Sequence, residues 1–267
     1  MEWLSAVQRM REAGDAGVLV TIISSRGHAP RAAGAKMLVT ALRSWDSIGG
    51  GNLEATAIDR AREMLLAETT EPQTMDMSLN EHATTRHGRQ CCGGQVTLLL
   101  EPILSPPPIA IFGLGHVGRE LAGVLSRMNV RLYLADSREE FAEASSLPQL
   151  PEAPAHVSWH HTPAPEALLR ELPQGTHVVI MTHDHAEDLF LCEAALNHAG
   201  LASTGLIGSA AKWTRFRKRL RESGYEDSAI DRITCPIGIP EITGKSPAVI
   251  ALSIASSLVQ GIPQELL

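Results

Sequence analysis

An apolar run, Ile109–Phe112, passes directly into Gly113-Leu-Gly115-His-Val-Gly118 and then into a segment whose apolar residues, Leu121, Leu125 and Met128, recur at helical spacing. Strand, glycine turn and helix in that order leave little choice of fold. The following strand, Val130–Ala135, has to lie parallel to the first, and the connecting helix must cover the sheet they form. That strand runs into Asp136, the position from which an acid accepts a ribose hydroxyl in dinucleotide-binding βαβ units. Gly113 and Gly115 permit the tight turn and the close approach of a ligand, Gly118 lets the helix pack near the strand, and the free N–H groups of the first helical turn attract phosphate. Such a cradle recognises phosphate and not the rest of a ligand, and the same pattern also closes turns that bind nothing.

Further strands are predicted at His156–His160, His177–Met181 and Ser203–Ile207, with helices near Ala186–His198, Ala210–Ser223 and Pro247–Leu258. The alternation predicts a Rossmann-like domain with a mainly parallel sheet over residues 109–267. Ser105 and three consecutive prolines, Pro106 to Pro108, cannot sit inside a sheet or helix and mark a boundary, so residues 1–105 are read as a separate domain. That part reads as α+β: a helix over about 2–13, strands at Val18–Ile23, Lys36–Thr40, Thr74–Leu79 and Val96–Leu100, and a helix carrying Leu53, Ala57, Ala61 and Met64 with Asn52 as its N-cap. The class is α/β overall. With only 4% aromatic residues the core must be aliphatic.

The formal charge of −7 is the wrong sign for a nucleic-acid binder. No apolar run approaches the roughly 20 residues of a membrane span, and the first residues are amphipathic and unlike a signal peptide, so the chain is expected in the cytoplasm. Its four cysteines, Cys91, Cys92, Cys192 and Cys235, are too few for a disulfide framework and are expected as thiols.

Cys91-Cys92-Gly93-Gly94 precedes a strand, and its glycines would let a loop present thiols to a ligand. Adjacent cysteines are poor disulfide partners, and the spacing supports no closed zinc site. A thiolate for a soft metal or for sulfur handling and a pair of small buried residues both fit. Thr182-His183-Asp184-His185 ends a strand, where open parallel sheets bind ligands; with Glu187 and Asp188 it suits a metal or acid-base cluster, a ligand-facing loop with His183 and Asp188 as polar contacts, or a helix cap at Asp184. Six cations fall within Lys212–Arg221, and the preceding Gly205-Leu-Ile-Gly208-Ser209 repeats the order of strand, glycine loop and helix start. Either a solvated helix face or a second anion contact at Ser209 or Lys212 follows. Cys192 falls in an apolar helix pattern and reads as core.

Taken in order, Gly27-His-Ala-Pro30-Arg31, Ile48-Gly-Gly-Gly51-Asn-Leu-Glu54, Gln90-Cys-Cys-Gly-Gly94, Gly113-Leu-Gly-His-Val-Gly118, Asp136-Ser-Arg138, Thr182-His-Asp-His185, Gly205-Leu-Ile-Gly-Ser209 with Lys212, and Cys235-Pro-Ile-Gly238 resemble the XdhC/CoxI accessory proteins of molybdenum-containing hydroxylases over nearly the whole chain. The resemblance implies a chaperone that binds the molybdenum cofactor (molybdopterin), holds it while a cysteine desulfurase replaces an oxo ligand by sulfur, and helps insert it into the molybdenum subunit of xanthine dehydrogenase. It implies cofactor contacts at Gly113, Gly115, His116, Gly118, Asp136 and Arg138, at His183, Ser209 and Lys212, and at Cys91, Cys92 and Gly93, with Cys91 or Cys92 meeting the molybdenum. A homodimer is the default assembly. The competing reading is an NAD(P)-dependent oxidoreductase; the glycine fingerprint and Asp136 support it, but no hydride-transfer acid-base pair is evident.

Overall fold

Alternating apolar residues build the first sheet. In the computed structural model, which describes residues 2–79, 93–141 and 154–266, the chain divides into two units, Met1–Ser105 and Pro106–Leu267, each with its own core. The first unit runs α1 (Glu2–Ala13), β1 (Gly17–Arg26), β2 (Lys36–Val39), β3 (Ser44–Trp45), α2 (Gly51–Leu66), β4 (Gln73–Ser78) and β5 (Gln95–Ile103). The strands form an antiparallel sheet in the order β3-β2-β1-β5-β4. Val18, Val20 and Ile22 of β1 join Met37 and Val39 of β2 and Val96, Leu98 and Leu100 of β5 beneath Leu53, Ala57, Ala61 and Met64 of α2. Leu38, one residue out of phase, meets Ala6 and Met10 of α1 in a separate cluster, as the period of two requires.

The helix cap differs from the sequence expectation. Asn52 lies inside α2, buried, with its Oδ1 accepting from the Thr56 hydroxyl at 3.2 Å, and the N-cap is Gly50. Glu54 is the reason: its carboxylate accepts the Gly50 N–H at 3.1 Å and the Ser47 hydroxyl, so a reaching acid caps the helix in place of a cap side chain.

The second unit runs β6 (Pro108–Phe112), α3 (His116–Leu125), β7 (Arg131–Asp136), β8 (His156–His161), α4 (Pro165–Arg170), β9 (His177–Ile180), α5 (His185–Asn197), β10 (Ser203–Leu206), α6 (Ala210–Glu222), α7 (Asp227–Ile230), β11 (Ile233–Thr234) and α8 (Pro247–Gly261). All neighbouring strands are parallel, in the order β11-β10-β9-β6-β7-β8. This is the doubly wound Rossmann order, and the winding reverses between β6 and β9. The strands are apolar on both faces: Ala110, Phe112, Val178 and Ile180 pack under α5 and α6, whereas Ile109, Ile111, Leu132 and Leu134 pack under α3 and α8. The carboxyl ends of β6, β7, β9 and β10 therefore carry the loops that the sequence singles out.

Candidate functional site

The three glycines of the first loop have three different surroundings. Gly113 adopts φ +101°, and a Cβ there would come within 2.3 Å of the Met181 carbonyl oxygen, so the turn lies against the end of β9. A Cβ on Gly118 would meet the Gly113 carbonyl oxygen at 2.1 Å, which is the close helix-strand approach anticipated for the third glycine. Around Gly115 a Cβ would meet nothing within 4 Å. Gly115 is the N-cap of α3 with no side-chain cap bond, and the N–H groups of His116, Val117 and Gly118 find no acceptor among the described residues. Open space in front of unpartnered N–H groups at the positive end of a ten-residue helix suits an anion. His116 is exposed on its first turn.

Asp136 does something other than wait for a ribose. Its side chain is only 1% exposed, and both oxygens are engaged: Oδ2 accepts the Leu114 N–H at 2.7 Å and Arg138 Nη2 at 2.9 Å, while Oδ1 accepts the Arg138 N–H at 3.0 Å and its Nε at 2.9 Å. Burial pushes the carboxyl up, but the Arg138 side chain and the two backbone N–H groups outweigh it and hold Asp136 below its ordinary value. The Arg138 guanidinium lies 3.9 Å from the Phe141 ring centre, and Arg119 of α3 lies 4.7 Å from the same ring. The Arg119 Nε is buried without a partner among the described residues. Ser137 donates to Glu187 at 2.8 Å, tying the end of β7 to the first turn of α5. Burial raises the Glu187 carboxyl, with the charges of Asp136 and Asp188 adding to the effect against Ser137 and His183.

The loop after β9 is a capping structure. Asp184 is the N-cap of α5 and accepts the Ala186 N–H at 2.5 Å and the Glu187 N–H at 3.4 Å. Its carboxyl is lowered by those two backbone bonds. His183 is exposed beside it. Asp188 is fully buried and accepts from the Thr182 N–H and hydroxyl and from Lys212 Nζ, so it anchors two elements and is not a free ligand contact. Nor does Lys212 reach out as an anion contact: its ammonium also donates to the Ile207 carbonyl at 3.0 Å, and the residue is 7% exposed. Ser209 caps α6 by accepting the Lys212 N–H at 3.2 Å. Of the two residues expected at a second anion site, Lys212 is turned inward because the buried Asp188 of α5 has to be neutralised, and Ser209 is the exposed N-cap of α6. The rest of the basic helix forms a solvated face, with Arg217 and Arg221 bridging to Asp227 and Asp231. Among the described residues no group of three or more His, Cys, Asp or Glu side chains is placed to hold a metal ion.

Cys91 and Cys92 lie outside the described residues. Gly93 and Gly94, which follow them, are described: Gly93 has φ +69°, the Gly93 N–H donates to Leu79 at 2.9 Å and the Leu79 N–H donates to Gly94 at 2.7 Å. A Cβ on Gly94 would strike the His28 carbonyl oxygen at 2.3 Å, so this glycine serves the packing of β5 against the end of β1. Cys192 is fully buried in the second unit, and burial raises its thiol. Cys235 is half-buried near Lys212, its thiol pushed up to about 11 by burial despite the ammonium.

A doubly wound parallel sheet with a glycine-rich helix start at its switch point defines a Rossmann-type α/β protein. The family follows from the sequence models: residues 109–258 match the XdhC Rossmann domain and residues 10–76 match the XdhC and CoxI family, and the chain belongs to that family. It is 26% identical over 243 residues to the uncharacterized protein YqeB of Escherichia coli K12, a match that covers 91% of this chain and 43% of YqeB. The chain therefore spans less than half the length of that relative. Among solved structures it is similar to a xanthine dehydrogenase from Bacillus halodurans, at 20% identity and a TM-score of 0.47 over 97% of this chain and 95% of the other. It is also similar to the Bordetella bronchiseptica enzyme WbmG in complex with NAD, at 20% identity and a TM-score of 0.30 over 58% of this chain and 50% of that one. No described helix is long and apolar enough to cross a membrane.

Proposed function

We propose that this chain is an accessory protein that binds the molybdenum cofactor by its pterin phosphate, holds it for sulfuration by a cysteine desulfurase, and helps insert it into the molybdenum subunit of xanthine dehydrogenase. The observation that carries the reading is the open space at Gly115, faced by the unpartnered N–H groups of His116, Val117 and Gly118, in a member of the XdhC/CoxI family. The first turn of α3 would hold the phosphate; His116 is exposed on that turn, and His183 is exposed in the loop after β9, whose start at Met181 and Thr182 lies against Gly113. Cys91 or Cys92 would meet the molybdenum or guard its exchangeable ligand. A nicotinamide dinucleotide is the second reading, favoured by the strand order, but the four N–H donors already on Asp136 speak against it.

The test is to purify the chain from hosts with and without molybdenum-cofactor synthesis, oxidise it and measure pterin fluorescence. The proposal expects pterin from the first host only. Saturable NAD binding with no pterin would replace it with the oxidoreductase. Co-purification of a desulfurase or of the hydroxylase subunit would identify the partners.

A further inference from the structure

Asp136 ends β7 at the place where an acid of this fold accepts ribose hydroxyls. A carboxylate offers about four lone-pair sites. Here all are addressed, by the Leu114 N–H, the Arg138 N–H, and Nε and Nη2 of Arg138, at 2.7–3.0 Å. The two-pronged grip of the guanidinium is the geometry in which arginine holds a carboxylate best. Arg138 is itself held, because its guanidinium lies on Phe141, whose ring also neighbours Arg119. Were Arg138 to swing away, it would leave a carboxylate that is 1% exposed without its charge partner.

We infer that the glycine-loop site of this chain takes a phosphate monoester and does not read a ribose, because Arg138 closes the carboxylate that would select a nucleoside. The charge balance agrees. Asp136 is compensated by Arg138, and Arg119, one turn into α3, has no carboxylate partner among the described residues. An uncompensated cation beside a helix N-terminus suits a monoester, which carries close to two charges at neutral pH, better than a singly charged diester. The inference rests on the cradle reading above and deepens it: the ligand's tail ends at its phosphate.

The experiment measures binding of three monoesters to the full chain by calorimetry: adenosine 5′-phosphate, its 2′,3′-dideoxy analogue, and glycerol 3-phosphate. The wild-type chain is expected to bind all three within about threefold of one another. In Arg138→Ala and Arg138→Met the freed Asp136 accepts the diol, and adenosine 5′-phosphate gains about fivefold or more over the dideoxy compound; Asp136→Asn added to either variant removes that gain. A diol preference of about fivefold in the wild type overturns the inference, as does failure of all three to bind it at ~10 mM. So does a cooperatively folded Arg138 variant without the gain. Should both variants unfold, the wild-type comparison alone decides. Pterin retention is read separately by fluorescence, so a failed cofactor reading with equal monoester binding is told apart from a failed inference with pterin retained.

Discussion

Gly115 and Gly118 sit on the same helix start and answer to different constraints. Alanine at Gly118 would place its Cβ 2.1 Å from the Gly113 carbonyl oxygen, a backbone atom that cannot yield without moving the turn. Such overpacking is expected to cost about 1–3 kcal/mol, visible as a lower Tm. Gly115→Ala meets nothing within 4 Å and keeps an ordinary φ of −66°, so it should melt within about 1 kcal/mol of the wild type. On the proposed function the same substitution fills the cradle, and pterin retained on purification should fall about tenfold or more. Loss of stability without loss of pterin at Gly115 would reverse the assignment. Cys235 makes a second prediction at this scale. With its thiol pushed up to about 11, iodoacetamide should label it much more slowly than a free cysteine near neutral pH, and the rate should climb as pH approaches that value. Peptide mapping by mass spectrometry follows the site directly. The glycines of the cradle were legible because a fixed spacing implies a fixed backbone path. The engagement of Asp136 was not, since nothing in the string Asp136-Ser-Arg138 says that the guanidinium turns back on its own acid.

Elements are tied here by a few buried polar bonds. Lys212 of α6 and Asp188 of α5 meet in the interior and cover the end of β9. Lys212→Met strands a buried carboxylate and should cost about 3–5 kcal/mol, whereas Lys212→Met with Asp188→Leu should recover most of it, as chemical denaturation of the single and double variants would show. An additive double variant would remove the pair from the account. Across β9 and β10, His177 Nδ1 lies 2.8 Å from the Ser203 hydroxyl, and burial holds the imidazole below its ordinary value of 6.5. The folded state therefore binds its proton less readily than the unfolded chain. Its contribution is complete above the ordinary value of 6.5 and is lost as pH falls through the lower folded value. Burial of His160 acts in the same direction. Urea unfolding should give a lower free energy near pH 5 than near pH 7.5, with a shallower slope in His177→Gln. An unchanged slope would assign the acid sensitivity elsewhere. Most elements were legible from the sequence pattern, including β1, β2, β4 and β5 of the first sheet and α1. β3, β11, α4 and α7 were not: the two strands have two residues each, and the two helices span fewer than two turns, too little to repeat a helical spacing.

At the scale of the molecule, the two units rest on separate cores, one under α2 and two on the faces of the parallel sheet. Pro106–Leu267 expressed alone should therefore unfold in a single cooperative transition and, on the proposed function, bind a phosphate monoester within a few-fold of the full chain. A fragment that melts without cooperativity would make the second unit dependent on the first. The sequence by itself determined the alternation of strand and helix and the glycine turn that follows the first parallel strand, because each is a local property written in spacing and in the backbone freedom of glycine. Only the tertiary structure decided which polar groups stay available. Asp136, Asp188, Ser209 and Lys212 all read as ligand contacts in one dimension, yet folding places a partner beside each. A buried charge or helix end that lacks water must take its bonds from whatever the fold brings near, and that neighbour is set by three-dimensional packing.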